Sequence, residues 1–186
     1  KRQLKNNLTS VRYNNYYGDG CNDTHGHGTQ VAGIIAAEKN DSDMHGVAYD
    51  AELHIGKIGD GPSVWIQQYG PNAASAMADN GVVAVNLSAN TRMSNGDIAA
   101  MTTIEKNGST LYYTNTNWYD TTSINEWKNA TDKGMVIVNS AGNQGFQIAA
   151  HPGYFATATD ANGNLELGGK KLIVGAVDHN NNMTEL

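Results

Sequence analysis

One segment of the chain reads Asp23-Thr24-His25-Gly26-His27-Gly28-Thr29-Gln30-Val31-Ala32-Gly33, which places a histidine between two glycines at the start of an apolar helical run. Gly26 and Gly28 have no side chains that could cover the imidazole of His27. From His27 to Ala37 the residues have the length and composition of a helix. An accessible histidine in this position can serve as a general base, although the same pattern also fits a histidine in a surface loop.

A second segment reads Val138-Asn139-Ser140-Ala141-Gly142-Asn143-Gln144-Gly145 and continues the apolar run that begins at Met135. A side-chain amide on a tight turn beyond a strand can donate a hydrogen bond to an oxygen that becomes negative during acyl transfer. Asn143 is therefore a candidate oxyanion donor. The alternative is an ordinary turn, in which asparagine tolerates a positive φ.

The order of apolar runs predicts the fold class. Strands are predicted at 51–58, 82–85, 135–140 and 172–177, and helices at 27–37, after 63 with an interruption at Gly70-Pro71, and at 122–133. Continuous apolar strands that alternate with helices predict an α/β protein whose parallel sheet is covered on both faces. Residues 1–23 have no such pattern and are predicted as loop, while 111–114 could form part of a hairpin. Functional residues of such sheets gather beyond the carboxyl ends of the strands, where 86–90 and 141–143 fall.

The composition limits the possible partners. The 186 residues fit one domain, and only 16% of them are charged, which favours a loop-rich globular chain over a disordered one. A net charge of -6 with scattered lysines and arginines excludes a nucleic-acid partner. No apolar run approaches the roughly 18 residues of a membrane span. Cys21 is the single cysteine, so no internal disulfide can form.

The histidines and acidic residues do not indicate a metal enzyme. His25, His27 and His45 lack the ligand spacing of a zinc site. The segment Asn40-Asp41-Ser42-Asp43 lacks the register of an EF-hand, and a solvated turn is preferred there to a calcium loop. The sequence therefore predicts no cofactor, with a structural calcium at 40–43 as the alternative left open.

Taken together, the two quoted segments resemble the histidine and oxyanion segments of the subtilisin-like serine proteases (subtilases). The stretch 26–37 is similar in particular to the autotransporter serine proteases, although Gln30 stands where the family usually has histidine, and Met44 to Ala51 continues the resemblance. This implies a three-layer subtilisin-like fold and peptide-bond cleavage through an acyl-enzyme. It also implies that His27 is the catalytic base and Asn143 the oxyanion donor, both facing one shallow cleft.

The resemblance extends to substrate binding. The segment Asn86-Leu87-Ser88-Ala89-Asn90 resembles the family's Asn-x-Ser-x-Gly strand end, which pairs with the substrate backbone, with Asn90 in place of the glycine. It implies that Ser88, Ala89 and Asn90 form one wall for an extended peptide or protein substrate. Ser140, Ala141 and Gly142 would form the opposite wall. A secreted or bacterial cell-surface protein is expected.

Two parts of the family pattern are not found in this sequence. No apolar strand ending in aspartate precedes His27, Asp19 and Asp23 lie in a predicted loop, and no Gly-Thr-Ser segment follows. We therefore expect residues 1–186 to be an internal part of a catalytic domain, with an insertion at about 91–120, and to be inactive alone. A segment within 1–17, or a strand of a neighbouring molecule, is expected to fill the place between strands 51–58 and 82–87, because buried backbone groups need partners.

Two other functions stay open on the sequence alone. One is a non-catalytic subtilase-like module that binds extended peptides by strand addition. The other is an unrelated Asn-rich surface-adhesion domain.

Overall fold

The computed structural model divides the chain into two compact units, Lys1–Trp65 and Ile66–Leu186. The residues that it describes are 11–16, 18, 20–41, 44–60, 63–64, 66–88, 102–106, 109–113, 121–140 and 170–182.

The first unit contains a pair of parallel strands and one long helix. Strand β1 (Val11–Asn15) pairs with β2 (Leu53–Lys57) from Val11↔Leu53 to Asn15↔Lys57. Between them in sequence lies helix α1 (His27–Ala36), as predicted. The short strands β3 (Gly59–Asp60) and β4 (Ser63–Val64) form an antiparallel pair.

The loop prediction for 1–23 is wrong over β1. Val11–Asn15 carries a weak pattern of its own, and it becomes a strand because β2 supplies a complete row of backbone partners. A segment within 1–17 thus lies beside the strand predicted at 51–58, as expected. Its place beside the strand at 82–87 stays a prediction.

The end of α1 is fixed by a close backbone approach at Gly46. A Cβ atom at this position would lie 2.4 Å from the backbone nitrogen of Ala36, which no real side chain tolerates. The backbone N–H groups of Gly46, Val47 and Ala48 donate to the carbonyls of residues 37, 34 and 35. These bonds satisfy carbonyls that the helix leaves without partners, and they direct the chain towards β2.

The second unit contains three parallel strands in the order β5-β8-β9. They are β5 (Ala84–Leu87), β8 (Val136–Ser140) and β9 (Lys171–Val174). Leu87 pairs with Asn139, and Ser140 pairs with Val174. The strands and their parallel direction confirm the α/β prediction, with boundaries shifted by at most three residues.

Two helices pack against each other in this unit, α2 (Ile66–Asp79) and α3 (Thr121–Asp132). Buried residues of the two helices and of the segment that follows α3 form the core: Ala73, Ala74, Met77, Trp127, Ala130, Met135 and Ile137. The predicted interruption at Gly70-Pro71 is wrong, since Pro71 lies inside α2 and is fully buried. A proline inside a helix removes one backbone donor and clashes with the preceding turn, at a cost of about 3 kcal/mol. The helix continues through Pro71 because the burial of its residues in the core outweighs this cost.

A hairpin lies within the predicted insertion. Strands β6 (Thr102–Lys106) and β7 (Ser109–Tyr113) pair antiparallel across a two-residue connection. This confirms the hairpin predicted around 111–114. The insertion itself stays a prediction.

The three-stranded sheet has one buried and one open face in the described part of the chain. Leu87, Ile137 and Asn139 point to the buried face. Leu172 and Val174 alternate to the other face and are 53% and 52% exposed.

Candidate active site

His27 is the first residue of α1, and it is exposed. Gly26 precedes it at the N-cap with φ 94°, a left-handed conformation that suits glycine. The ring of His25 lies 6.3 Å from that of His27, measured between centroids. The structure thus presents the predicted base at the start of a helix with its imidazole open to a reacting group.

Asp23 organises the turn that carries His27. Its Oδ1 accepts hydrogen bonds from the backbone N–H groups of Gly26 (2.6 Å) and His25 (3.1 Å). Its Oδ2 accepts from the backbone N–H (2.8 Å) and the hydroxyl (2.6 Å) of Thr29. Burial raises the pKa of Asp23, but the hydrogen bonds from the Thr29 hydroxyl and from the three backbone groups outweigh it and lower the pKa to about 2.

The carboxyl ends of two neighbouring parallel strands bring together part of the predicted substrate site. Ser88 directly follows β5, and Ser140 is the last residue of β8; both are half-buried. Because Leu87 pairs with Asn139, Ser88 and Ser140 continue from adjacent positions of one sheet edge. The Nδ2 of Asn86 donates to the Oγ of Ser88 at 2.9 Å.

Asn139 links these strand ends through its side chain. It is 3% exposed, and its Nδ2 donates to the carbonyl of Leu87 at 3.0 Å and to that of Ser140 at 3.3 Å. A buried amide is retained where it has such partners, since its desolvation is costly without them. Asn139 therefore fixes the backbone from which Ser88 and Ser140 extend.

Five of the predicted site residues lie outside the described part of the chain: Ala89, Asn90, Ala141, Gly142 and Asn143. The shared cleft of His27 and Asn143 accordingly stays a prediction. Of the segment 40–43, where a solvated turn is preferred to a calcium loop, Asn40 and Asp41 are described. Among the described residues, no three histidine, cysteine, aspartate or glutamate side chains form a group that could hold a metal ion. No helix in the described part of the chain is long and apolar enough to cross a membrane.

Sequence reasoning missed the roles of two residues. It assigned Asp23 to a loop without a role, because the usual cap signal is a side chain three positions before the N–H group of Thr29, where Gly26 stands. It passed over Asn139, where an amide inside a valine-rich strand indicates a buried polar contact.

The chain is similar to known proteins along nearly its whole length. The model of the family described as "Subtilase family" matches residues 2–186. Subtilisin Savinase of Lederbergia lenta is 30% identical over 167 residues, which are 86% of this chain and 45% of that protein. An extracellular serine protease of Serratia marcescens is 59% identical over 34 residues, 18% of this chain and 3% of that protein.

The fold is similar to that of solved structures. Sphericase matches with a TM-score of 0.59 at 21% identity, over 97% of this chain and 51% of that one. The S41 psychrophilic protease matches with a TM-score of 0.56 at 21% identity, over 95% and 49%. The chain thus spans about half the length of these structures and less than half of Savinase.

Proposed function

The chain belongs to the subtilase family, and on that premise we propose that the natural protein is a secreted serine endopeptidase that cleaves peptide bonds through an acyl-enzyme. His27 is proposed as the base that takes the proton of the nucleophilic serine and then returns it to the leaving amine. Asn143 is proposed to donate its amide N–H to the oxyanion. The observation that carries the proposal is the position of His27 at the exposed start of α1, on a turn held by four hydrogen bonds.

The proposed substrate is an extended segment of a peptide or protein. Ser88, Ala89 and Asn90 are proposed to line one side of it, and Ser140, Ala141 and Gly142 the other. The adjacent positions of Ser88 and Ser140 on one sheet edge support this arrangement. An extended chain beside a strand end can add main-chain hydrogen bonds, which give affinity with little dependence on side-chain identity.

Secretion, or attachment to a bacterial cell surface, is proposed as the location. Support comes from the 34-residue match to the extracellular serine protease of S. marcescens. A closer kinship with autotransporter proteases is part of the same proposal.

The 186 residues alone are proposed to be inactive. None of their serines lies in a Gly-Thr-Ser segment, and a base without a nucleophile has nothing to activate. The natural protein should react with a fluorophosphonate serine probe and lose this reaction in His27→Ala, while the isolated 186-residue chain should not react. Stoichiometric labelling of a serine within the isolated chain, abolished by His27→Ala, would contradict its proposed inactivity. If the natural protein binds peptides without labelling or cleavage, the peptide-binding module is the correct interpretation.

The role of Asn143 has its own test in the natural protein. Asn143→Ala should lower kcat more than it raises KM, since the amide acts mainly on the transition state. In subtilisin, a member of this family, the loss of such a donor costs roughly 10²–10³ in kcat, and an effect of that order is expected. An unchanged kcat would remove Asn143 from the proposed site.

A further inference from the structure

Both oxygens of the Asp23 carboxylate accept hydrogen bonds from donors in the turn that carries His27. A carboxylate offers about four acceptor positions, and four donors occupy the two oxygens of Asp23. The carboxylate therefore has no free acceptor with which to orient the imidazole of His27 as a catalytic aspartate would.

The four bonds bracket His27 along the backbone. His25 and Gly26 lie on its amino side, and Thr29 lies on its carboxyl side. Gly26 occupies the N-cap position of α1, and as a glycine it has no side chain to accept a hydrogen bond from the first turn. Asp23 supplies the missing cap from three residues further back, since its Oδ2 satisfies the N–H of the third helical residue. The backbone of His27 is thus held from both sides by one side chain.

We propose that Asp23 is a positioning residue for His27, which sets the place and direction from which the imidazole approaches the serine. This rests on the proposed function, in which His27 is the base. The lowered pKa of Asp23 keeps the carboxylate ionised, and hydrogen bonds to an ionised acceptor are shorter and stronger than neutral ones.

The test uses the natural protein, a peptide substrate and a fluorophosphonate probe. Asp23→Asn keeps the size of the side chain but turns one acceptor oxygen into an NH₂ group, so that either Thr29 or the pair His25 and Gly26 loses its acceptor. We expect kcat to fall about 10- to 100-fold, because small displacements of a catalytic group have effects of this size. KM should change less than about threefold.

Probe kinetics separate positioning from folding. In Asp23→Asn the rate constant of labelling should fall by the same factor as kcat, while the final labelled fraction stays that of wild type. A merely structural role would lower the labelled fraction and leave the rate constant of the remaining molecules unchanged.

A milder matched pair keeps the proposal testable if Asp23→Asn does not fold. Thr29→Val removes the hydroxyl that donates to Asp23, and Thr29→Ser keeps it. We expect Thr29→Val to label about fivefold more slowly than Thr29→Ser, the effect of one hydrogen bond.

Asp178 provides the control. It also accepts backbone N–H groups, from Asn180 and Asn182, so Asp178→Asn should leave kcat and the labelling rate unchanged. The proposal is overturned if Asp23→Asn labels as fast as Asp178→Asn, or if Thr29→Val labels as fast as Thr29→Ser. Labelling that survives His27→Ala would overturn the proposed function, and this proposal with it.

Discussion

Asp23 and Asn139 each hold the backbone beside a predicted site residue, but one does so with a charge and the other with a neutral amide. Asp23 is half-buried, and its partners lie within six residues along the chain. Asn139 is almost fully buried, and its partner Leu87 lies 52 residues away. The first device is local and depends on ionisation. The second depends on the folded sheet and is insensitive to pH.

The difference also predicts how each device fails. A local turn held by charge is weakened by acid or by loss of one carboxylate, while α1 can persist. A buried amide between strands is lost only with the strand pairing itself, and its removal leaves polar groups without that donor in the interior. Four predictions test this contrast, in order of decreasing expected effect on stability.

Asn139→Ala should cause the largest loss of stability. The substitution removes the hydrogen bonds to the carbonyls of Leu87 and Ser140 and opens a small cavity. We expect the free energy of unfolding to fall by about 2–3 kcal/mol, measured by urea denaturation of the 186-residue chain.

Asn86→Ala is the matched control, because Asn86 lies on the adjacent strand but is exposed. Its effect should stay within about 0.5 kcal/mol. The importance of the amide would be disproved if Asn139→Leu, which fills the volume without the donor, were as stable as wild type.

Lys171 tests whether a positive charge on the buried face of the sheet β5-β8-β9 lowers the stability of the fold. Ile173 pairs with Asn139, and Lys171, two residues earlier, points to the same face. Burial lowers the pKa of Lys171 from 10.5 to about 7. Between these values the unfolded chain binds the proton and the folded chain does not, so stability should rise with pH above about 7.

The measurement is urea denaturation of wild type and Lys171→Met from pH 6 to 9. Relative to Lys171→Met, wild type should gain about 2 kcal/mol between pH 7 and pH 9, because each pH unit in this range contributes about 1.4 kcal/mol. Parallel stability profiles for the two proteins would show that the ammonium is well solvated.

Asp23→Asn should produce a smaller loss, and the loss should depend on acid. The folded pKa of about 2 lies below the ordinary 3.8. The contribution is therefore fully present above about pH 4 and disappears as the pH falls through 2. Loss of a helix cap costs about 1–2 kcal/mol, and solvent screening of this half-exposed turn places the expected value near the lower end.

Denaturation of wild type and Asp23→Asn from pH 2 to 7 measures this contribution. The two curves should separate above pH 4 and converge near pH 2. Asp178→Asn is the comparison variant, because backbone hydrogen bonds from Asn182 and Asn180 also lower the pKa of Asp178. A constant difference between wild type and Asp23→Asn at all pH values would contradict an effect through ionisation.

The part of the structure that could be predicted from sequence is the part that short segments determine. Helix α1 and the hairpin follow from local composition, and the parallel strands follow from continuous apolar runs. Strand β1 was not predicted, because its pairing with β2 joins residues about 40 positions apart in the sequence. A local pattern cannot reveal a partner at that distance.

The same limit applies to the candidate site. His27 could be proposed because the glycines around it belong to a segment that resembles the subtilase histidine segment, and Ser88 and Ser140 because of the same resemblance. The bond from Asn139 to Leu87 could not, since it depends on which strands become neighbours. Asp23 lies between these cases: its partners are local, but the cap is supplied from three residues before the N-cap position instead of from that position itself.

The two glycines that flank His27 should differ, and this gives the smallest expected effect. Gly26 has φ 94°, whereas a Cβ at Gly28 would only reach ordinary contact with Asp23, 3.7 Å from Oδ2. Alanine in the left-handed region costs about 1–2 kcal/mol, partly offset by about 0.4–1 kcal/mol from a less flexible unfolded chain. Gly26→Ala should therefore destabilise the fold by about 1 kcal/mol, while Gly28→Ala should be neutral or slightly stabilising, because alanine is the better helix former.

Thermal denaturation of both variants measures the contrast. Equal losses would show that the Asp23 turn needs glycine on both sides of His27, and that its geometry is tighter than the φ angles indicate.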